Sequence, residues 1–137
     1  MLWNKQEEVF LANILIADDE ISIRTLLHRV VESMEHTPVD ASDGQEALEK
    51  YKEKSIDLSI VDLNMPKMDG LGYLKSIKKT DPKAVVIIMT GYPSAETIIE
   101  TIEDDGFTYI AKPIHVEQIK DLIERGLAFR EARLNEK

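Results

Sequence analysis

Short apolar runs alternate along this chain with stretches of helical period. Ile14 to Ala17 reads as a buried strand. From Ile23 to Met34 the apolar positions Ile23, Leu26, Leu27, Val30, Val31 and Met34 recur at helical spacing. Pro38 to Ala41 predicts a short second strand. Gly44 to Lys52 predicts a helix with Ala47, Leu48 and Tyr51 on one face. Leu58 to Val61 is a third strand, with Ser59 as a polar interruption. Leu71, Leu74 and Ile77 mark a third helix from about Gly70 to Lys79, and Asp81-Pro82 breaks it. Ala84 to Met89 is the most strand-like segment, nearly all apolar and β-branched. Gly91 to Ser94 is turn chemistry. Ala95 to Asp104 predicts a fourth helix carrying Ile98, Ile99 and Ile102, which Gly106 ends in the manner of a helix C-cap. Phe107 to Ala111 is a fifth strand, and a fifth helix begins at His115.

Strand and helix alternating five times imply an α/β fold: a parallel sheet with helices on both faces and right-handed crossovers. The two ends stand outside this scheme. Met1 to Leu11 has no strand partner in it. Ile119, Ile123, Leu127 and Leu134 nearly share one stripe, so the last helix is expected to project beyond the domain. The expected division is an N-terminal extension over 1–12, one domain over 13–126, and a C-terminal extension of the last helix over 127–137.

Size and composition narrow the reading. A chain of 137 residues suits one domain with a real core. It contains no cysteine, which removes disulfides and thiolate metal sites and fits a reducing compartment. No apolar run approaches the roughly 20 residues that span a bilayer. Met1 to Asn13 carries Lys5, Glu7 and Glu8 and lacks the apolar core of a signal peptide. A soluble, cytoplasmic protein without a membrane partner is expected. The net charge of -9 disfavours direct nucleic-acid binding, which depends on basic residues.

The chemistry gathers at strand ends. In a parallel sheet all strands end at one edge, where open α/β folds place their ligands. The first strand ends in Asp18-Asp19-Glu20, the third in Asp62, the fourth in Thr90 and the fifth in Lys112-Pro113. Clustered carboxylates repel unless a cation sits among them. A hard divalent ion resolves the conflict, and Mg²⁺ suits it, since it binds one or two carboxylates and keeps several waters. Asp62 then has an oxygen free to attack phosphorus, giving an acyl phosphate. Lys112 neutralises the developing charge and Thr90 offers a hydrogen bond. Each residue also has a plain structural reading. Asp18 or Asp19 can cap the first helix, Asp62 with Asn64 can form an Asx turn, and Thr90-Gly91 and Lys112-Pro113 can be punctuation. Those readings leave unexplained why acids, a hydroxyl and a lysine end four different strands of an apolar sheet. His28, His36 and His115 lack metal-ligand spacing, and the chain has no glycine-rich phosphate loop.

IADDE at 16–20, ASDGQEAL at 41–48, DLNMPKMDG at 62–70, MTGY at 89–92 and YIAKPI at 109–114 together resemble the receiver domain of two-component response regulators, such as the chemotaxis regulators. The resemblance covers about Asn13 to Arg125. It implies a flavodoxin-like five-stranded parallel sheet in the order 2-1-3-4-5. It implies Asp62 as phosphoacceptor, charged by a sensor histidine kinase or phosphotransfer protein. Asp19 and Asp62 would ligate Mg²⁺ directly, Asp18 largely through water and Asn64 through its backbone carbonyl, with Mn²⁺ able to substitute. Lys112 would pair with the phosphoryl group, and its bond to Pro113 would be cis. Thr90 and Tyr109 would form a switch pair that alters the face of the fourth helix, fifth strand and fifth helix. That face would bind a downstream target or a second copy in a homodimer. Asn64 and Tyr92 flank the site where phosphate lifetime is tuned. Such a module catalyses only its own phosphoryl transfer and autodephosphorylation. Ser59 departs from the more usual aliphatic residue, and Glu103-Asp104-Asp105 makes the end of the fourth helix unusually acidic.

Three other readings compete. A haloacid dehalogenase-like phosphatase would carry a second Asp two positions after the nucleophile, where this chain has Asn64, and would need a cap domain. A flavodoxin-like cofactor binder would place a phosphate-cradling loop after the first strand, where Asp18-Asp19-Glu20 would repel a flavin phosphate. A structural receiver would bind partners without phosphorylation, against which the intact residue set argues.

Overall fold

The computed structural model describes residues 2–4, 9–92 and 96–136. Pro93 and Ser94, assigned above to a turn, Ala95 at the start of a helix, and the Ile98 side chain lie outside the described residues. The elements in chain order are β1 (Leu2–Asn4), β2 (Val9–Leu11), β3 (Asn13–Ala17), α1 (Ile21–Ser33), β4 (Thr37–Ala41), α2 (Gly44–Glu53), β5 (Leu58–Asp62), α3 (Gly70–Thr80), β6 (Val86–Thr90), α4 (Glu96–Asp105), β7 (Thr108–Ala111) and α5 (Val116–Leu134).

Five of these strands form one sheet in the order β4-β3-β5-β6-β7, every neighbour parallel. Counted within the sheet the order is 2-1-3-4-5, a flavodoxin-like fold. The pleat explains the two layers. Leu15 and Ala17 of β3 face Ala47, Leu48, Tyr73, Leu74, Ile77 and Ile102 of α2, α3 and α4. Ile14 and Ile16 face Leu27, Val30 and Val31 of α1 and Ile119, Ile123 and Leu127 of α5. β5 and β6 are buried on both sides, which is why their residues read as nearly unbroken apolar runs. Asp43 and Asp69 cap α2 and α3, accepting the N–H of Glu46 at 2.8 Å and of Gly72 at 2.7 Å.

Three expectations change. The sequence pattern gives Met1 to Leu11 no strand partner, yet β1 and β2 pair with each other as an antiparallel ribbon, Trp3 opposite Phe10. Gly106 is no left-handed cap: among the described residues no glycine has positive φ. A β-carbon there would lie 3.2 Å from the Ile102 carbonyl oxygen and from the Leu74 side chain, a tight fit that glycine relieves. The last helix does not simply project. α5 runs unbroken past Gly126 and stays on the body of the domain. Phe129 meets Phe107 with ring centroids 5.5 Å apart, and the Arg130 guanidinium pairs with Asp81 at 3.0 Å. Among the described residues, no helix is long and apolar enough to cross a membrane.

Candidate functional site

The C-terminal edge of the sheet forms a polar notch in an otherwise apolar core. Three of its residues, Asp18, Asp62 and Thr90, are buried. Each sits there because an apolar strand delivers it: β3 runs into Asp18, and β5 and β6 end in Asp62 and Thr90. β7 delivers Lys112, whose N–H donates to the Thr90 carbonyl at 2.8 Å and whose peptide bond to Pro113 is cis.

The Lys112 ammonium joins the strand ends. Its Nζ donates to Asp62 Oδ2 at 3.0 Å and to Asp18 Oδ2 at 3.2 Å, and it lies 3.6 Å from Glu20 Oε1. Burial disfavours the ammonium, but the hydrogen bond to Asp62 and the charges of Asp18 and Asp62 outweigh it, so its pKa lies above the ordinary lysine value. Asp18 has the opposite problem. Burial pushes its carboxyl above the usual aspartate range, and the Asp62 charge adds to this. The Glu20 N–H at 2.9 Å and the Lys112 charge pull it back only in part. Arg24 fixes the backbone here by donating to the Asp18 carbonyl at 2.7 Å.

The loop after Asp62 is held from two sides. The Asn64 N–H donates to Asp62 Oδ1 at 3.3 Å, so the Asx contact exists alongside the ion pair. A β-carbon at Gly44 would overlap the Met68 carbonyl, and one at Gly70 would lie 2.6 Å from the Asp62 carbonyl oxygen. Both glycines therefore let the loop close over the start of α2 and under Asp62. Lys67, in the same loop, adopts φ 67°. The Thr90 hydroxyl accepts the Tyr92 N–H at 2.9 Å, a turn contact that does not use its own proton, which has no acceptor among the described residues. Tyr92 is exposed, and Tyr109 is half-buried against the core layer of α2, α3 and α4.

The structure thus brings Asp18, Asp62 and Lys112 into direct contact, with Thr90 at the neighbouring strand end. It also brings in a residue that sequence reasoning did not single out. Carboxylate oxygens of Asp18, Glu20 and Asp62 lie within 4.8 Å of one another, whereas Asp19 is exposed and outside that group. Three oxygen donors beside one ammonium, with a buried carboxyl whose charge is disfavoured, suit a hard divalent cation.

Comparisons with known proteins identify the family. The family model described as "Response regulator receiver domain" matches residues 14–124. The transcriptional regulatory protein ZraR of Escherichia coli is 35% identical over 116 residues, covering 85% of this chain and 26% of that protein. The chain therefore spans about a quarter of the length of that relative. Sporulation initiation phosphotransferase F of Bacillus subtilis is 35% identical over 117 residues, covering 85% of this chain and 94% of that protein. The crystal structure of a response regulator receiver domain protein from Clostridium thermocellum superposes with a TM-score of 0.82 at 31% identity, covering 89% of this chain and 98% of that one. The chain belongs to the response regulator receiver domain family of two-component systems.

Proposed function

We propose that this protein stores a phosphoryl group on Asp62, received from the phosphohistidine of a sensor kinase or phosphotransfer protein. The observation that carries the reading is the Lys112 ammonium seated between Asp62 and Asp18 at the ends of three strands. An Asp62 carboxylate oxygen forms the bond to phosphorus. The phosphorus–nitrogen bond of the donor breaks, and its electron pair stays on the imidazole. Lys112 shifts from Asp62 Oδ2 to the transferred oxygens, and the Thr90 hydroxyl donates its unused proton to one of them. Asp62 directly, Asp18 largely through water and the Asn64 carbonyl would hold Mg²⁺, or Mn²⁺ in its place, with Asp19 joining them by turning in from its exposed position outside the three-carboxylate group, and the ion would neutralise charge on the phosphoryl oxygens.

Output follows as a population shift, since phosphorylation favours whichever state makes better contacts with the new group. Movement of Thr90 toward the phosphoryl group opens space for Tyr109, and the surface of α4, β7 and α5 changes its affinity for a downstream target or a second copy. The unit that does this is residues 13–126, with 1–12 as an extension and 127–137 as a continuation of α5 that packs back on it through Phe129 and Arg130. Transfer and autodephosphorylation on Asp62 are its only chemistry. Tyr92 shields the acyl phosphate from water, so Tyr92→Ala is expected to shorten its lifetime.

Incubation of the full chain with acetyl phosphate and Mg²⁺, followed by intact mass, tests the reading. One added phosphoryl group is expected, lost with a chelator and in Asp62→Asn. Equal labelling of Asp62→Asn would overturn it.

A further inference from the structure

Glu20 is at the N-cap of α1, yet its side chain makes no capping bond. Asp43 and Asp69 at the same position of α2 and α3 do cap their helices. Arg24, one turn on, is the usual partner for a helix glutamate. Its guanidinium goes instead to the Asp18 carbonyl. Among the described residues the ion pair of Glu20 is with Lys112, reached by a side chain that is 60% exposed.

Lys112 therefore faces three carboxylates of unequal freedom. Asp18 is buried and held by the Glu20 N–H. Asp62 is the residue that bonds phosphorus in the reading above. Glu20 alone is exposed, and no backbone donor fixes its carboxylate among the described residues.

We infer that Glu20 is a charge gate at the mouth of the notch, which selects phosphodonors by their negative charge. The inference rests on Asp62 as phosphoacceptor. Glu20 competes with incoming phosphoryl oxygens for Lys112 and repels the donor itself. A dianionic donor meets the larger barrier, because the repulsion scales with its charge. The gate positions and screens Lys112 and forms no bond to the reacting atoms.

Two small donors separate charge from shape. Acetyl phosphate is a dianion at neutral pH. As Asp62 bonds phosphorus, the bridging phosphorus–oxygen bond breaks and acetate leaves with the electron pair. Phosphoramidate is a monoanion. Its phosphorus–nitrogen bond breaks and the nitrogen leaves as ammonia, already carrying its proton. The Glu20 side chain is exposed and caps nothing, so Glu20→Gln keeps the fold.

At saturating Mg²⁺, intact mass followed over time should show Glu20→Gln labelled roughly three- to tenfold faster than wild type by acetyl phosphate, with a clearly smaller gain from phosphoramidate. Raising ionic strength should shrink the gain, since the pair is exposed. An unchanged or slower rate with acetyl phosphate would overturn the gate, and a slower rate would make Glu20 a helper of the metal instead. Equal gains from both donors would overturn it too. Absence of labelling of wild type by either donor would be a different failure, removing the phosphoacceptor reading and the gate with it.

Discussion

The Ser59 hydroxyl and the Tyr73 hydroxyl meet at 2.7 Å in the fully buried space between β5 and α3. Ser59 breaks an apolar strand because it is the partner that lets a tyrosine be buried whole. The bond fixes the seating of α3 three residues before Asp62. Removing one partner leaves the other hydroxyl buried and unpaired. Ser59→Ala and Tyr73→Phe should each cost about 1–3 kcal/mol, and the double variant clearly less than their sum. Urea denaturation of the four proteins measures this. Additive costs would show that the pair is not coupled.

Asp81 ties the two helical layers together beneath the sheet. It accepts the Tyr51 hydroxyl of α2 at 2.6 Å and pairs with Arg130 of α5 at 3.0 Å. Burial pushes its carboxyl up, but these two groups outweigh that and hold it below the usual aspartate value. A carboxyl with a depressed folded pKa stabilises the fold above its unfolded value. That contribution fades as pH falls through the folded value. Asp81→Asn should therefore cost about 1–3 kcal/mol near neutrality and progressively less below the ordinary value of 3.8. Denaturation midpoints of wild type and variant across acid pH check it, and a gap independent of pH would refute it.

His36 anchors the start of β3 through its ring, accepting the Ala12 N–H on Nδ1 at 3.1 Å. That bond requires the neutral imidazole. Burial lowers the ring's pKa, against the smaller opposing influence of Asp57, Glu124 and Glu35. The lowered value means stability is present above 6.5 and is lost as pH falls through the folded value. Wild type should lose stability relative to His36→Gln over that range. Parallel pH profiles for the two proteins would refute the role.

What was legible in the chain, and what was not, divides along physical lines. Asp62, Thr90 and Lys112 could be placed because each ends or directly follows a strand-like run, and parallel strands share one edge. Glu20 could not. Whether Asp19 or Glu20 reaches the notch beside Asp18 depends on backbone angles after the strand, and the partner of Glu20, Lys112, is far away in the chain. The same holds for Tyr73 as the partner of Ser59 and for Arg130 across 49 residues from Asp81. Gly44 looked like an ordinary helix start, because its need for glycine comes from Met68 in another loop. The β1–β2 ribbon escaped because strands of three residues carry too little alternation to read. Local pattern revealed the elements and their ends, whereas long-range pairing decided the details.

Lys112 sets the balance of charge in the notch. Its raised pKa means that its stabilising contribution is complete below 10.5 and is lost only as pH rises through the folded value, so at neutral pH it acts in full. Lys112→Met would leave Asp18 and Asp62 facing each other across the buried strand ends. The variant should lose about 3 kcal/mol without metal, the low end for a broken buried pair because the lysine side chain keeps some exposure. A divalent cation supplies the missing charge, so added Mg²⁺ should raise the melting temperature of Lys112→Met by more than that of wild type. Thermal melts with a chelator and with excess Mg²⁺ give the comparison. Equal gains would mean that the carboxylates hold their charge without a cation, and that the notch is not the site the ion occupies.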